Sequence, residues 1–314
     1  MNGTASNSRP LLRLTIGWLA CLALSHAAAQ QSTGDYTPRL GQPGKDVMWL
    51  PTPDLMVDSM LRMAEVTSRD FVVDLGSGDG KIPISAARRF GARALGLEFN
   101  PDLVEVSKLR AREAGVADKV EFRKADIFST DYSGASVVTL YLLPEINLKL
   151  RPTLFKMNPG TRISSHSFDM GSWRPDETTL IGSARTLLWI IPAHVAGAWT
   201  LRYDGNKADA PGAIVLRQRF QEIEGEATLG PARVSLQNAR LRGKEIHFGV
   251  RDAGGQQLLF SGQITANRIV GQVTQAKRGR NRFEAIRVDA AAPFPEAEAT
   301  EAEMSEAIRV LDAQ

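Results

Sequence analysis

The sequence predicts an α/β chain, with a doubly wound, mostly parallel sheet followed by a C-terminal antiparallel all-β barrel or sandwich. Three observations carry this. Between residues 71 and 168, apolar strand-like runs alternate with amphipathic helical runs, the pattern of repeated βα units. From 197 to 289 there are only strand-like runs, broken by turns roughly every 8–12 residues. The 314 residues are 43% hydrophobic and 23% charged, an ordinary globular composition with length for about two domains.

Taken in order, residues 1–29 read as a secretory signal peptide. Arg9 and Arg13 precede the apolar run LTIGWLACLAL at 14–24, which is short for a permanent span, and Ala27 to Ala29 offer small residues for cleavage before Gln30. The expected location is exported and periplasmic; the alternative is membrane anchoring through an uncleaved leader. The single cysteine, Cys21, lies inside this segment, so the rest of the chain has no disulfide or thiol chemistry. Residues 30–50, rich in Gly and Pro, are expected to be a flexible arm.

The ordered part begins with a helix at 51–66, with Thr52 as its cap, Pro53 in its first position and an apolar stripe of Leu55, Met56, Met60, Met63 and Ala64. FVVDLG is a strand and KIPISAARRF a helix. ARALGLEF (92–99) is the second strand, and PDLVEVSKLRAREAG (101–115) is a helix stopped by Gly115. KVEFRKADIF (119–128) and ASVVTLYLL (135–143) are further strands, the latter apolar enough to be covered on both faces. PEINLKLRPTLFKM is a helix kinked or interrupted at Pro152, GTRISSHSF (160–168) is a fifth strand, and TTLIGSA with RTLLWIIPA forms a hairpin. This region closes at 194. Residues 195–290 form the β-rich domain of six to eight strands, with GAWTLRY and RFEAIRV placed as the first and last strands of a barrel closing on itself. The segment 291–314 holds five Glu and Asp312 against Arg309, and is expected to be an acidic disordered tail or a marginal helix, without function.

Net charge is +3, and the chain between leader and tail is mildly basic. No dense Lys/Arg face marks a nucleic-acid binder. The run AKRGRNR (276–282) puts four cations in one turn, which leaves a weak membrane-surface contact open. Nothing in the pattern specifies an oligomer. His166, His194 and His247 are scattered, without close-spaced acids or thiols, so no metal site is expected.

The chemistry centres on VVDLGSGDGKIPISAA at 72–87. A strand, a glycine turn and a helix start together make a nucleotide-type site, with free helix N–H groups facing the ligand. In the dinucleotide fingerprint the third glycine stands five residues after the first. Here Gly76, Gly78 and Gly80 are spaced G-x-G-x-G. Asp74, two residues ahead of them, would repel a pyrophosphate and suits a ligand carrying a cationic amino group. Both points disfavour an NAD-dependent oxidoreductase.

VVDLGSGDGKI resembles motif I of class I S-adenosylmethionine-dependent methyltransferases. D-L-G-S-G-D-G-K-I is similar to the form in a bacterial group related to the ATP synthase c-subunit lysine methyltransferases. The resemblance extends from Val47 to Pro175. It implies a seven-stranded Rossmann-like sheet at 51–194 whose last two strands are the hairpin at 178–192, with S-adenosyl-L-methionine as cofactor. It assigns cofactor binding to Asp74, Gly76, Ser77, Gly78 and Gly80, then to Glu98 with Phe99 at the end of the second strand, where a carboxylate takes both ribose hydroxyls. Asp126 would accept from the adenine amino group while Ile127 packs on the ring. Acceptor residues should follow the fourth strand, in TLYLLPE at 139–145. The Asn/Asp-Pro-Pro-aromatic element of many amine methyltransferases is missing there, which argues against nucleic-acid bases and glutamine as acceptors. Tyr141 to orient an amine, Glu145 to bind its charge, and His166 and Asp169 on the same rim are the catalytic candidates. The expected function is methyl transfer to a protein or small-molecule acceptor, a protein lysine amine by family analogy. The alternative is a non-catalytic exported ligand-binding protein that keeps the fold.

Overall fold

The structure is a computed structural model that describes residues 38–39, 41, 50–204, 211–276, 279–291 and 298–312. The expected leader, nearly all of the expected arm, and Lys277 and Arg278 of the basic turn lie outside the described residues. Everything described falls in one compact unit, Pro38–Gln314. Among the described residues no helix is long and apolar enough to cross a membrane.

The first half alternates as the apolar periodicity requires: α1 (Asp54–Met63), β1 (Phe71–Leu75), α2 (Lys81–Phe90), β2 (Arg93–Glu98), α3 (Pro101–Glu113), β3 (Val120–Lys124), β4 (Val137–Leu140), α4 (Pro144–Phe155), β5 (Arg162–His166), β6 (Glu177–Ile181) and β7 (Ala184–Ile190). Seven strands form one sheet in the order β3-β2-β1-β4-β5-β7-β6. All its pairs are parallel except those of β7, which runs antiparallel to β5 and β6. One core lies under α1, α2 and α3, and a second lies under α4. Strand order reverses at β1, flanked by β2 and β4, so a crevice opens beyond its carboxyl end.

Local chemistry accounts for the helix ends. The Asn100 side chain accepts from the Asp102 N–H at 2.9 Å and caps α3, while Gly115 turns out of the helix at φ +69°. Three expectations are corrected here. Pro53, not Thr52, is the N-cap of α1, and Leu55 faces solvent, because the buried stripe runs through Met56, Val57, Met60 and Leu61. The third strand stops at Lys124, since the Asp126 carboxylate accepts from the Phe128 N–H and closes a turn. Helix α4 is one helix from Pro144 to Phe155 and is not interrupted at Pro152.

The second sheet holds β8 (Gly197–Tyr203), β9 (Gly212–Arg219), β10 (Glu222–Leu229), β11 (Ala232–Ser235), β12 (Gln237–Arg242), β13 (Glu245–Arg251), β14 (Gln257–Thr265), β15 (Arg268–Gln275) and β16 (Gly279–Ala290). It has nine strands rather than six to eight. First and last pair antiparallel, Trp199 opposite Arg287, so the sheet rolls into a nearly closed barrel whose seam lies between β11 and β12. Period-2 burial along β9, β10 and β14 sends alternate residues inward. The rings of Phe248, Phe260 and Phe283 pack together there, so the inside is a core rather than a ligand chamber.

Two features tie the parts together. Phe220, in the β9–β10 turn at φ +51°, is buried against the α/β sheet and stacks on Trp173 with centroids 5.6 Å apart. Trp173 Nε1 donates to Gln221 Oε1 at 2.8 Å, and Trp189 Nε1 donates to the Trp173 carbonyl at 2.8 Å. The second feature is the terminal segment, where a disordered tail or a marginal helix is expected. Glu301–Asp312 is a helix, α5, because its Glu303 neutralises a wholly buried arginine, Arg151, on α4.

Truncating Phe220 removes the aromatic plug between barrel and sheet. Phe220→Ala is expected to cost about 3–5 kcal/mol in urea unfolding, and a loss under about 1 kcal/mol would show that the turn does not brace the sheet.

Candidate active site

The glycine turn sits at the carboxyl end of β1, where Asp74 precedes it. Asp74 is 3% exposed, and its Oδ1 accepts from the Thr139 hydroxyl of β4 at 2.6 Å. Burial pushes its pKa up to about 7, with the nearby charges of Glu98 and Asp79 adding to the shift against the lowering by Thr139. Glu98, at the end of β2, points at the turn. Its Oε2 accepts from the Gly78 N–H at 2.9 Å and its Oε1 from the Asn100 N–H at 2.8 Å. Each oxygen keeps a lone pair for a hydroxyl donor. Asp79 turns away and pairs with Arg110 of α3.

Four amides of the turn itself are hydrogen-bonded within the protein. Gly76 and Ser77 both donate to the Leu97 carbonyl, Gly80 donates to the Ser77 carbonyl, and Gly78 donates to Glu98. These four N–H groups are therefore not available to cradle a phosphate. Nor is each glycine there for a ligand. A Cβ on Gly80, at φ +81°, would lie 2.7 Å from the Phe122 ring and 2.9 Å from Ser107 Cβ. This glycine lets α2 and the turn approach β3 and α3. Gly96 on β2, which sequence reasoning did not single out, is required for the same reason: its Cβ would lie 2.5 Å from Phe122 and 2.6 Å from Ser77 Oγ. That hydroxyl is itself buried without a partner.

The remaining cofactor candidates separate. Phe99 is about half exposed beside Glu98, while Ile127 packs partly buried against the second core. The Asp126 carboxylate holds its own turn through Phe128, and its backbone carbonyl accepts from the Thr130 hydroxyl at 2.7 Å.

On the other side of the crevice the structure brings two of the four catalytic candidates into contact. The Tyr141 ring stacks on His166 with centroids 3.8 Å apart, and Phe168 lies parallel at 6.2 Å. His166 is buried, its Nδ1 has no partner, and desolvation lowers its pKa to about 4, so the imidazole is neutral. Burial also raises the Tyr141 phenol. Glu145 begins α4 next to Pro144, with Oε2 buried and unpartnered. Asp169 stands apart from this stack, half exposed on the rim and 3.8 Å from Arg185. Sequence reasoning missed the groups that set this rim. Ser165 Oγ donates to the Phe168 carbonyl at 2.7 Å, and Asn147 Nδ2 donates to the carbonyls of Phe168 and Asp169 at 3.2 and 3.3 Å. Ser167 takes φ +64° to make the bend. A buried Asn on a helix and a Ser on a strand were the only sequence signals.

The arrangement offers a buried carboxylate and a second one at the glycine turn, and an uncharged aromatic stack across the crevice. It fits a cationic ligand with a diol, held next to a second cationic or amine group.

A family model described as the ANTKMT methyltransferase domain matches residues 74–177. A protein-lysine N-methyltransferase of Saccharolobus islandicus is 40% identical over 133 residues, covering 42% of this chain and 83% of that one. The mouse lysine N-methyltransferase of the ATP synthase c-subunit is 34% identical over 132 residues, 42% of this chain and 53% of its own length. A crystal structure of an RNA methyltransferase from Salinibacter ruber, in complex with S-adenosyl-L-homocysteine, shares 53% identity over 46% of this chain and 96% of that one, with a TM-score of 0.46.

Because Asp74 is ordinary in the unfolded chain and raised when folded, the folded state holds the extra proton between about pH 4 and 7. Stability without ligand should therefore fall as pH rises through that window and level off above it. Asp74→Asn should remove this slope and be the more stable form at pH 8 by a few kcal/mol, at about 1.4 kcal/mol per pKa unit. Thermal melts of the two proteins that run parallel across pH 4–8 would refute the burial account.

Proposed function

The chain belongs to the class I S-adenosylmethionine-dependent methyltransferases, among the protein-lysine N-methyltransferases, and on that premise we propose that it methylates the ε-amine of a protein lysine. The observation that carries the cofactor's placement is the glycine turn, whose four N–H groups are spent internally while two carboxylates, Asp74 and Glu98, remain for a cation and a diol. When bound, S-adenosylmethionine supplies a methyl group activated by its sulfonium. The residues at the turn fit it. Asp74 would meet the amino group and Glu98 the ribose hydroxyls, the backbone of Gly76, Ser77, Gly78 and Gly80 shapes the turn, and Phe99, Asp126 and Ile127 would flank the adenine.

The acceptor side follows from charge. An incoming lysine must shed a proton before its lone pair can attack, and desolvation favours the neutral amine. The stacked faces of Tyr141, His166 and Phe168 make a dry wall that tolerates the cation through their π-electrons. With its pKa near 4, His166 adds no positive charge beside the sulfonium and the amine. It is accordingly an orienting group and a weak proton acceptor. Glu145, with one oxygen unpartnered, would accept an N–H of the amine and so orient it. Asp169, at the rim, leads the released proton to water. The leader-like run at 1–29 supports an exported enzyme, which an alkaline phosphatase fusion of residues 1–35 tests.

Tritium transfer from methyl-labelled S-adenosylmethionine is expected into poly-L-lysine and not into RNA; label in RNA alone would overturn the lysine reading. Glu98→Ala should weaken S-adenosylhomocysteine binding at least about tenfold in calorimetry, the loss of roughly one hydrogen bond to a charged group. Binding of S-adenosylmethionine should weaken as pH falls below about 7, where Asp74 takes up its proton.

A further inference from the structure

We propose that the C-terminal helix α5, which lies outside the family-matched segment, is the fixed outer wall of the acceptor cleft and determines which amines enter it. The inference rests on the lysine reading above. A cavity of about 580 Å³ opens beside the aromatic stack. Tyr141, Pro144 and Phe168 line one side of it, and Glu303, Glu306 and Ala307 of α5 line another.

The attachment of α5 makes it a wall rather than a lid. Arg151 is wholly buried on α4. Its Nη1 donates to the Met170 carbonyl at 2.7 Å and to Glu303 Oε1 at 2.8 Å. Its Nη2 donates to the Glu298 carbonyl at 2.8 Å and to Glu303 Oε2 at 3.1 Å. Glu303 also accepts from the Ser172 N–H at 2.8 Å and from the Thr300 N–H at 2.8 Å, which caps the helix start. This set of donors holds the Glu303 carboxyl far below the usual range despite its burial. Lifting α5 would break three hydrogen bonds of the Arg151 guanidinium, two to its charge partner Glu303 and one to the Glu298 carbonyl. The fit is close: a Cβ on Gly171, at φ +62°, would lie 2.6 Å from Glu303 Oε1.

A wall at this place narrows the entry. An acceptor entering here passes between the aromatic stack and α5, past an apolar lining with charged residues at the rim, which suits a side chain with an apolar stem and a cationic end. A lysine of a projecting peptide is such a side chain. Apolar contact comes from Tyr141, Leu148, Phe168 and Ala307. Carboxylates stand on both sides of the mouth, Asp169 beside Arg185 and Glu306 beside Arg309. A bulky residue at 307 fills the entry, and reversing the charge at 306 leaves the mouth cationic.

The test uses the full chain and the peptide acetyl-Gly-Lys-Gly-amide, with two readouts: calorimetric binding of the peptide to protein loaded with S-adenosylhomocysteine, and methylation kinetics. Ala307→Trp is expected to raise the peptide Kd and KM at least about tenfold while the Kd for S-adenosylhomocysteine stays unchanged. Glu306→Lys changes an exposed residue and leaves folding intact; it should raise both about three- to tenfold at low salt and lose the effect at high salt, as rim charges do. Peptide binding unchanged in Glu306→Lys and in a folded Ala307→Trp overturns the wall, and if wild type still methylates the peptide the lysine reading survives. Weakened binding in the variants without methylation by wild type overturns the lysine reading and keeps the wall. A wild type that neither binds nor methylates the peptide overturns both.

Discussion

A carboxylate buried inside the sheet, Asp74 between β2 and β4, is the constraint on which the site depends. Its desolvation is offset in the protein by one hydroxyl, Thr139, and is worsened by Glu98 and Asp79. An isolated buried acid of this kind is uncomfortable as an anion until a cation arrives. The surroundings avoid any competing use of the crevice. The amides of Gly76, Ser77, Gly78 and Gly80 bond to Leu97, Ser77 and Glu98, so these four are used inside the protein while two carboxylates stand at the turn. The same strand–turn–helix geometry that elsewhere receives phosphate is thereby converted to receive a sulfonium amino acid.

The acceptor rim shows a different kind of dependence. Residues 167–173 bend sharply at Ser167 and would be mobile if left to themselves. They are fixed by Ser165 and Asn147 at Phe168 and Asp169, and near Trp173 both by the barrel turn at Phe220 and Gln221 and by Glu303 of α5. Two of these supports come from outside residues 74–177. The barrel and the terminal helix thus brace the rim proposed to receive the acceptor, even though neither lies within residues 74–177. The barrel's filled interior is consistent with that bracing role, since its core is dense with aromatic rings and it meets the sheet through a turn.

The stack of Tyr141 on His166 joins the two sides. Thr139, which holds Asp74, and Tyr141, which faces the acceptor cavity, lie two residues apart at the end of β4. Displacing this strand end would disturb donor and acceptor together, and its near-complete burial keeps it in place.

Much was legible in the residues by themselves. Apolar period and glycine stops located the α/β strands and helices, the G-x-G-x-G spacing with Asp74 pointed away from a dinucleotide, and Glu98 at the end of β2 was placed to face the turn, because these signals are local in sequence. The nine-strand count, the docked α5 and the uses of the glycines were decided only in three dimensions. Gly80 and Gly96 are small because Phe122, contributed by another strand, occupies the space beside them. The acidic terminal segment read as a solvated tail because its one decisive partner, Arg151, lies 152 residues earlier. Composition reports average solubility, whereas burying an ion pair depends on which two side chains meet, and only the folded chain brings those two together.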